Sequence, residues 1–189
     1  MEGDETVLSS DAYHLAFSAD AGYARHMGVV LTSLLRHHRS GERLQVHVLD
    51  GGIYEADREK LVRLLVARGN PPPVFLNARH SLREHDLDEL AAKGGTDYFT
   101  GEAFYRLFLP SFLPDVDRVL YLDCDLVVLG DLRELFQTRL SPGTCVGMVP
   151  TVYVATDILP GDPEFAARIG YRPGMPYFNS GVCLMDLAE

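Results

Sequence analysis

Apolar residues in the first part of the chain switch between two periods. Tyr13 to Phe17 (YHLAF) is a short apolar-rich run that predicts a strand, followed by the turn-like SADAGY. Met27, Val30, Leu31, Leu34 and Leu35 then recur at three- and four-residue spacing, the stripe of an amphipathic helix. Leu44 to Leu49 (LQVHVL) alternates as a second strand, closed by Asp50-Gly51-Gly52. Leu61, Leu64 and Leu65 mark a second helix, stopped by Asn70-Pro71-Pro72-Pro73, and Val74 to Leu76 predicts a third strand. Strand, helix, strand, helix, strand is the order of a parallel α/β sheet.

Farther along, residues 77–100 are polar and ambiguous, and a short helix is expected from Glu102 to just before Pro110. Arg118 to Leu122 (RVLYL) reads as a buried strand running into Asp123-Cys124-Asp125. Gly130-Asp131 turns the chain into a short helix over Leu132 to Phe136, and Cys145 to Val149 is a further strand. Residues 150–176 are rich in Pro and Gly and predict a long loop with one helical turn near Phe165. Phe178-Asn179-Ser180-Gly181 leads into a last strand, Val182 to Met185. Neither an internal repeat nor a linker interrupts this order, so residues 1–189 are expected to form a single domain.

Composition narrows the function. Apolar residues make up 47% and charged residues 23%, which suits a packed domain rather than disorder. The net charge of −10 argues against nucleic acid and against a broad basic face on an anionic membrane. No apolar run reaches the roughly 20 residues of a transmembrane helix. The polar, acidic start MEGDETVLSSDAYH does not read as a signal peptide. Three cysteines without a CxxC spacing suggest reduced thiols. A cytoplasmic location follows, with peripheral association at an inner membrane face left open. Lysine is confined to Lys60 and Lys93, and no histidine follows His85.

Four places can carry chemistry. In YLDCDLVV two aspartates, Asp123 and Asp125, follow a buried strand, where extended geometry would put both on one side and Cys124 on the other. Paired carboxylates repel, and a hard divalent cation removes that cost. Solvated turn or cap aspartates are the plain alternative. Asp20, at the end of the first strand, can accept hydrogen bonds from a base or ribose, with Tyr23 as a stacking face; alternatively it caps the following helix. Arg106, in the apolar AFYRLFLP, needs a carboxylate or phosphate partner and serves equally as half of a structural ion pair. Asn179 can present an amide to a hydroxylated ligand or simply make a turn.

The stretches FSADAGY, VHVLDGGI, FYRLFLP, RVLYLDCDLVVLGDL and YFNSGVCLMDL, in that order, resemble family 8 of the retaining glycosyltransferases. That family includes bacterial lipopolysaccharide galactosyl- and glucosyltransferases and, more distantly, glycogenin. The resemblance implies a GT-A, Rossmann-like α/β fold, with a mainly parallel central sheet and helices on both faces. It implies a UDP-sugar donor, Mn²⁺ (or Mg²⁺), and transfer of glucose or galactose to a saccharide or lipid-linked saccharide acceptor. On it Asp20 and Tyr23 hold the uracil, and Asp123 and Asp125 bind the metal and donor. Arg106 and Asn179 contact the donor sugar or its partners and are the catalytic candidates. An acidic protein and an anionic diphosphate are compatible chiefly through such a cation.

Departures are expected to matter. The family's later His-x-x-Gly-x-x-Lys-Pro-Trp-like segment and a later polar segment on the acceptor side are not found in the chain. Thr151 stands where many relatives carry an acid, and Gly22 where Asn is common. The first pair favours a second reading, a UDP-sugar and metal-binding module that does not turn over. A third, a haloacid-dehalogenase-type phosphatase with Asp123 as nucleophile, needs a downstream lysine that the sequence lacks.

Overall fold

The computed structural model describes residues 12–39, 41–85, 101–151, 167–168, 170, 172 and 175–188. A six-stranded sheet in the order β3-β2-β1-β4-β6-β5 organises them. The strands are β1 (Ala12–Ala19), β2 (Arg43–Asp50), β3 (Val74–Leu76), β4 (Arg118–Leu122), β5 (Val146–Pro150) and β6 (Phe178–Asp186). β3, β2, β1 and β4 run parallel, as the alternation of elements predicts. β6 enters antiparallel between β4 and β5, so the sheet is mixed at one side.

Two helices cover one face. In α1 (Ala24–His37) the buried residues Ala24, Met27, Val30, Leu31, Leu34 and Leu35 form the predicted stripe, and Arg36 and His37 suit the negative end of the helix dipole. α2 (Glu55–Val66) buries Leu61 and Leu65. These side chains pack on Leu15, Phe17, Val46, Val48, Leu120 and Leu122. Each fully buried Leu or Val contributes about 1.5–3 kcal/mol of apolar burial. The other face, Ala16, Leu49, Val119, Tyr121, Cys183 and Met185, is covered by Ala78, Leu82, Tyr105, Leu109 and Leu113 from short helical segments. Helices therefore lie on both faces, in three layers.

Three local expectations change. The segment at Glu102, Gly101–Phe108, ends before Pro110 as expected but is a 3₁₀ helix. An α-helical turn, Leu109–Phe112, follows directly with Pro110 in its first positions, where a missing N–H costs nothing. The last strand begins at Phe178 rather than Val182, so Asn179 lies within it, while its side chain still makes the turn-type bond to Gly181 N two residues on. Conversely β4 ends at Leu122, and Asp123, Cys124 and Asp125 belong to the turn after it rather than to an extended run. The polar stretch 86–100 and the turn expected near Phe165 fall outside the described residues.

Candidate functional site

Parallel strands gather ligands at their carboxyl ends, and especially where the sheet order reverses. Here β1 leads outward through β2 to one edge and β4 lies on its other side. The ends of β1 and β4 open into a cavity of about 180 Å³. Asp20, Tyr23, Arg106, Asp123 and Asp125 all line it, so five of the six residues singled out in the sequence share one space.

Each is fixed by its local backbone. Asp20 follows β1, and its Oδ1 accepts from the Tyr23 amide at 2.9 Å while its carbonyl accepts from Ala24 N at 3.1 Å. The same carboxylate thus closes the turn that leads into α1, whose N-cap position is Tyr23, and faces the cavity. Tyr23 is 44% exposed, a ring free to meet a ligand. The turn after β4 is pinned from beneath: Cys124 Sγ donates to Ser18 O at 3.2 Å and Asp123 N to Gly181 O at 2.8 Å. Burial, and then the negative charge of Asp123, Asp125 and Asp20, pushes the Cys124 thiol up to about 12. It is a protonated donor, not a nucleophile.

Arg106 is heavily engaged. Its Nη2 donates to Asp123 Oδ1 at 2.9 Å, its Nε to Ala103 O at 2.8 Å, and its Nη1 to Ser180 O. Its guanidinium also stacks 4.3 Å above the Tyr121 ring. Tyr121 donates its hydroxyl to the same Asp123 Oδ1 at 3.1 Å, and burial raises that phenol above its ordinary range. The ion pair anticipated as a structural alternative for Arg106 is therefore present, with Arg106 at the cavity wall. Asp123 Oδ2 and both oxygens of Asp125 take no hydrogen bond among the described residues.

Asn179 does not line the cavity, but it borders Asp123. Its Oδ1 accepts from Gly181 N at 2.7 Å. A Cβ on Gly181 would fall 2.6 Å from Asp123 Oδ2 and 2.9 Å from Asn179 Oδ1. Glycine at that position is what lets β6 approach the carboxylate, which gives the FNSG run a physical meaning. Sequence reasoning missed Glu102 and Tyr121. Tyr121 alternates on the same strand as Leu120 and Leu122 and gave no separate signal; Glu102, a lone acid at the start of a short helical segment, gave none either.

The donor chemistry suits a hard cation in part. Asp123 and Asp125 offer unpaired carboxylate oxygens two residues apart, and Mg²⁺ or Mn²⁺ commonly takes one or two carboxylates and completes its shell with phosphate and water. Among the described residues no cluster of three or more His, Cys, Asp or Glu side chains is arranged as a cage, so a cation here would rely on the ligand. No helix among the described residues is long and apolar enough to cross a membrane.

Known proteins resemble this chain in sequence and fold. The chain is 27% identical over 95% of its length to general stress protein A of Bacillus subtilis, covering 58% of that protein. It is 26% identical over 97% of its length to the lipopolysaccharide 1,2-glucosyltransferase of Escherichia coli, covering 50% of it. The chain thus spans about half the length of these relatives. The crystal structure of galactosyltransferase LgtC in complex with donor and acceptor sugar analogues superposes with a TM-score of 0.69 and 29% identity, over 92% of this chain and 58% of that one. The mixed sheet is accordingly the GT-A fold. The family model for glycosyl transferase family 8 matches residues 14–189. With that match running from β1 to the end of the last strand, the chain belongs to glycosyl transferase family 8.

Proposed function

We propose that the chain holds a UDP-sugar with a divalent cation, Mn²⁺ or Mg²⁺, and transfers a hexose, glucose or galactose, with retention to a hydroxyl of a saccharide or lipid-linked saccharide. The observation that carries this is the single cavity shared by Asp20, Tyr23, Asp123 and Asp125 at the ends of β1 and β4. Support comes from a relative named as a glucosyltransferase acting on lipopolysaccharide and a structure named as a galactosyltransferase. Three unpaired cysteines fit a cytoplasmic site of action.

In this reading Asp20 accepts from the uracil and Tyr23 stacks on it. Asp123 Oδ2 and Asp125 hold the cation, which when bound offsets the diphosphate charge and stabilises departing UDP as a Lewis acid. Arg106 fixes Asp123 through its Oδ1 and presents the remaining face of its guanidinium to the donor sugar. Asn179, beside Asp123, meets a sugar hydroxyl. No side chain is assigned as a covalent nucleophile; Cys124 is excluded by its buried, protonated thiol.

A second reading, donor binding without efficient transfer, is favoured by one observation. Arg106 is the only basic residue lining the cavity among the described residues, and Asp123 already takes its charge. Leaving-group charge needs preorganised positive partners. A thermal-shift panel of UDP, UDP-glucose, UDP-galactose and GDP with and without Mn²⁺ tests the binding. Stabilisation by GDP equal to that by UDP, or indifferent to the metal, overturns both readings. Slow hydrolysis of the UDP-sugar, followed by UDP release, separates transferase from binding module.

A further inference from the structure

Glu102 lies outside the base, metal and sugar contacts proposed for Asp20, Tyr23, Arg106, Asp123, Asp125 and Asn179. It opens the 3₁₀ helix that carries Arg106, it is half-buried, and it lines the same cavity. Among the described residues its carboxylate has neither a hydrogen-bond nor an ion-pair partner. Its position is specific. A Cβ on Gly51 would fall 2.7 Å from Glu102 Cγ and 2.9 Å from its Oε1, so the side chain lies directly over a glycine. Gly51 N donates to Ala19 O at 2.8 Å, and Ala19 precedes Asp20. The carboxylate therefore stands beside the end of β1, in the cavity that also holds the ion pair of Arg106 with Asp123.

An ionised carboxylate only accepts hydrogen bonds, and it repels phosphate. Its partner on a nucleotide must be an O–H or N–H. With the base at Asp20 and Tyr23 and the diphosphate at Asp123 and Asp125, the ribose joins the two. We infer that Glu102 recognises the ribose, accepting from its 2′- and 3′-hydroxyls, a pairing of acid with diol that other nucleotide-binding α/β folds use. This rests on the UDP-sugar reading proposed above. It makes Glu102 a specificity residue for ribonucleotides, and Gly51 the space that admits it.

Calorimetric titration with UDP and with 2′,3′-dideoxy-UDP, at saturating Mn²⁺, tests the inference. Wild type is expected to prefer UDP by about tenfold or more, the range for hydrogen bonds to a charged group. In Glu102→Ala that preference should fall toward unity, with UDP weakened and the dideoxy analogue unchanged. Glu102→Gln, which keeps the packing over Gly51, should fall between. If Glu102→Ala does not fold, the glutamine variant decides alone: a reduced preference supports the inference and an unchanged one overturns it. Equal loss for both ligands, or a wild type indifferent to the hydroxyls, also overturns it. Failure of wild type to bind either ligand would instead remove the nucleotide reading itself; UDP binding with a preference that survives Glu102→Ala removes this inference alone.

Discussion

The two acidic residues after β4 are expected to respond differently to the same substitution. Asp125 is exposed and unpartnered among the described residues, with Asp20, Glu102 and Asp123 around the same cavity. Asp125→Asn removes one of several like charges, and at separations of several ångströms near water that is worth only a few tenths of a kcal/mol. Ligand-free stability should hold or rise slightly. Asp123→Asn acts on an acceptor shared by Arg106 and Tyr121, and the Arg106 side chain is only 12% exposed. Exchanging a charge-assisted bond for a neutral one costs about 1 kcal/mol, discounted because Asp123 itself is 34% exposed and the amide still accepts. For a chain of 189 residues that is about 2–4 °C of Tm. Wild type with UDP and Mn²⁺ at a hundredfold over Kd should gain about 2.7 kcal/mol. Both variants should lose that gain. Scanning fluorimetry of the three proteins, alone and with UDP, Mn²⁺ or both, gives every comparison. A full Mn²⁺-dependent gain in Asp125→Asn would refute the metal assignment. An apo loss in Asp125→Asn as large as in Asp123→Asn would show that Asp125 has a structural partner.

Three further outcomes follow from the geometry. Gly181→Ala places a methyl against Asp123 Oδ2 and should cost about 1–3 kcal/mol of stability while weakening Mn²⁺-dependent UDP binding, measured by urea unfolding and calorimetry. Leu31→Ala, in the fully buried stripe of α1, should cost about 2–5 kcal/mol in urea unfolding and leave affinity for UDP unchanged once folded. His47, buried against His14 at 3.0 Å, is held down to about 4 by burial and then by its neighbour. The unfolded chain therefore binds more protons between about pH 6.5 and 4, stability should fall as pH drops through that window, and His47→Leu should flatten the fall in urea midpoints.

Much of this was legible because burial and period agree. The stripe from Met27 to Leu35, the alternation of LQVHVL and the run RVLYL each became the element expected, within a few residues. The parallel order followed from the alternation of strand and helix. The antiparallel insertion of β6 was not legible, since pairing partners far apart in sequence leave no periodic trace. Extended geometry also gave the wrong account of Asp123, Cys124 and Asp125. Their common orientation comes from a turn anchored by Cys124 and Gly181, contacts that a linear pattern does not encode. For Arg106 the sequence left two partners open, and folding brings Asp123, 17 positions away, within bonding distance.

The placement of β6 has a consequence for how the protein is made. β4 pairs with β1 on one side, while its other edge is filled only by β6, and the Arg118–Asp186 ion pair across them spans 68 positions. A chain emerging from the ribosome therefore carries β4 with an open edge until Phe178–Asp186, some sixty positions later, has been synthesised. Such an edge is a template for pairing with another chain. It also means that Asp123 lacks the Gly181 carbonyl that anchors its amide, and Arg106 lacks Ser180, until β6 docks. The carboxylate turn is assembled late, by the slow closure of a long-range contact, and nascent chains halted before β6 should be both inert toward nucleotide and prone to associate.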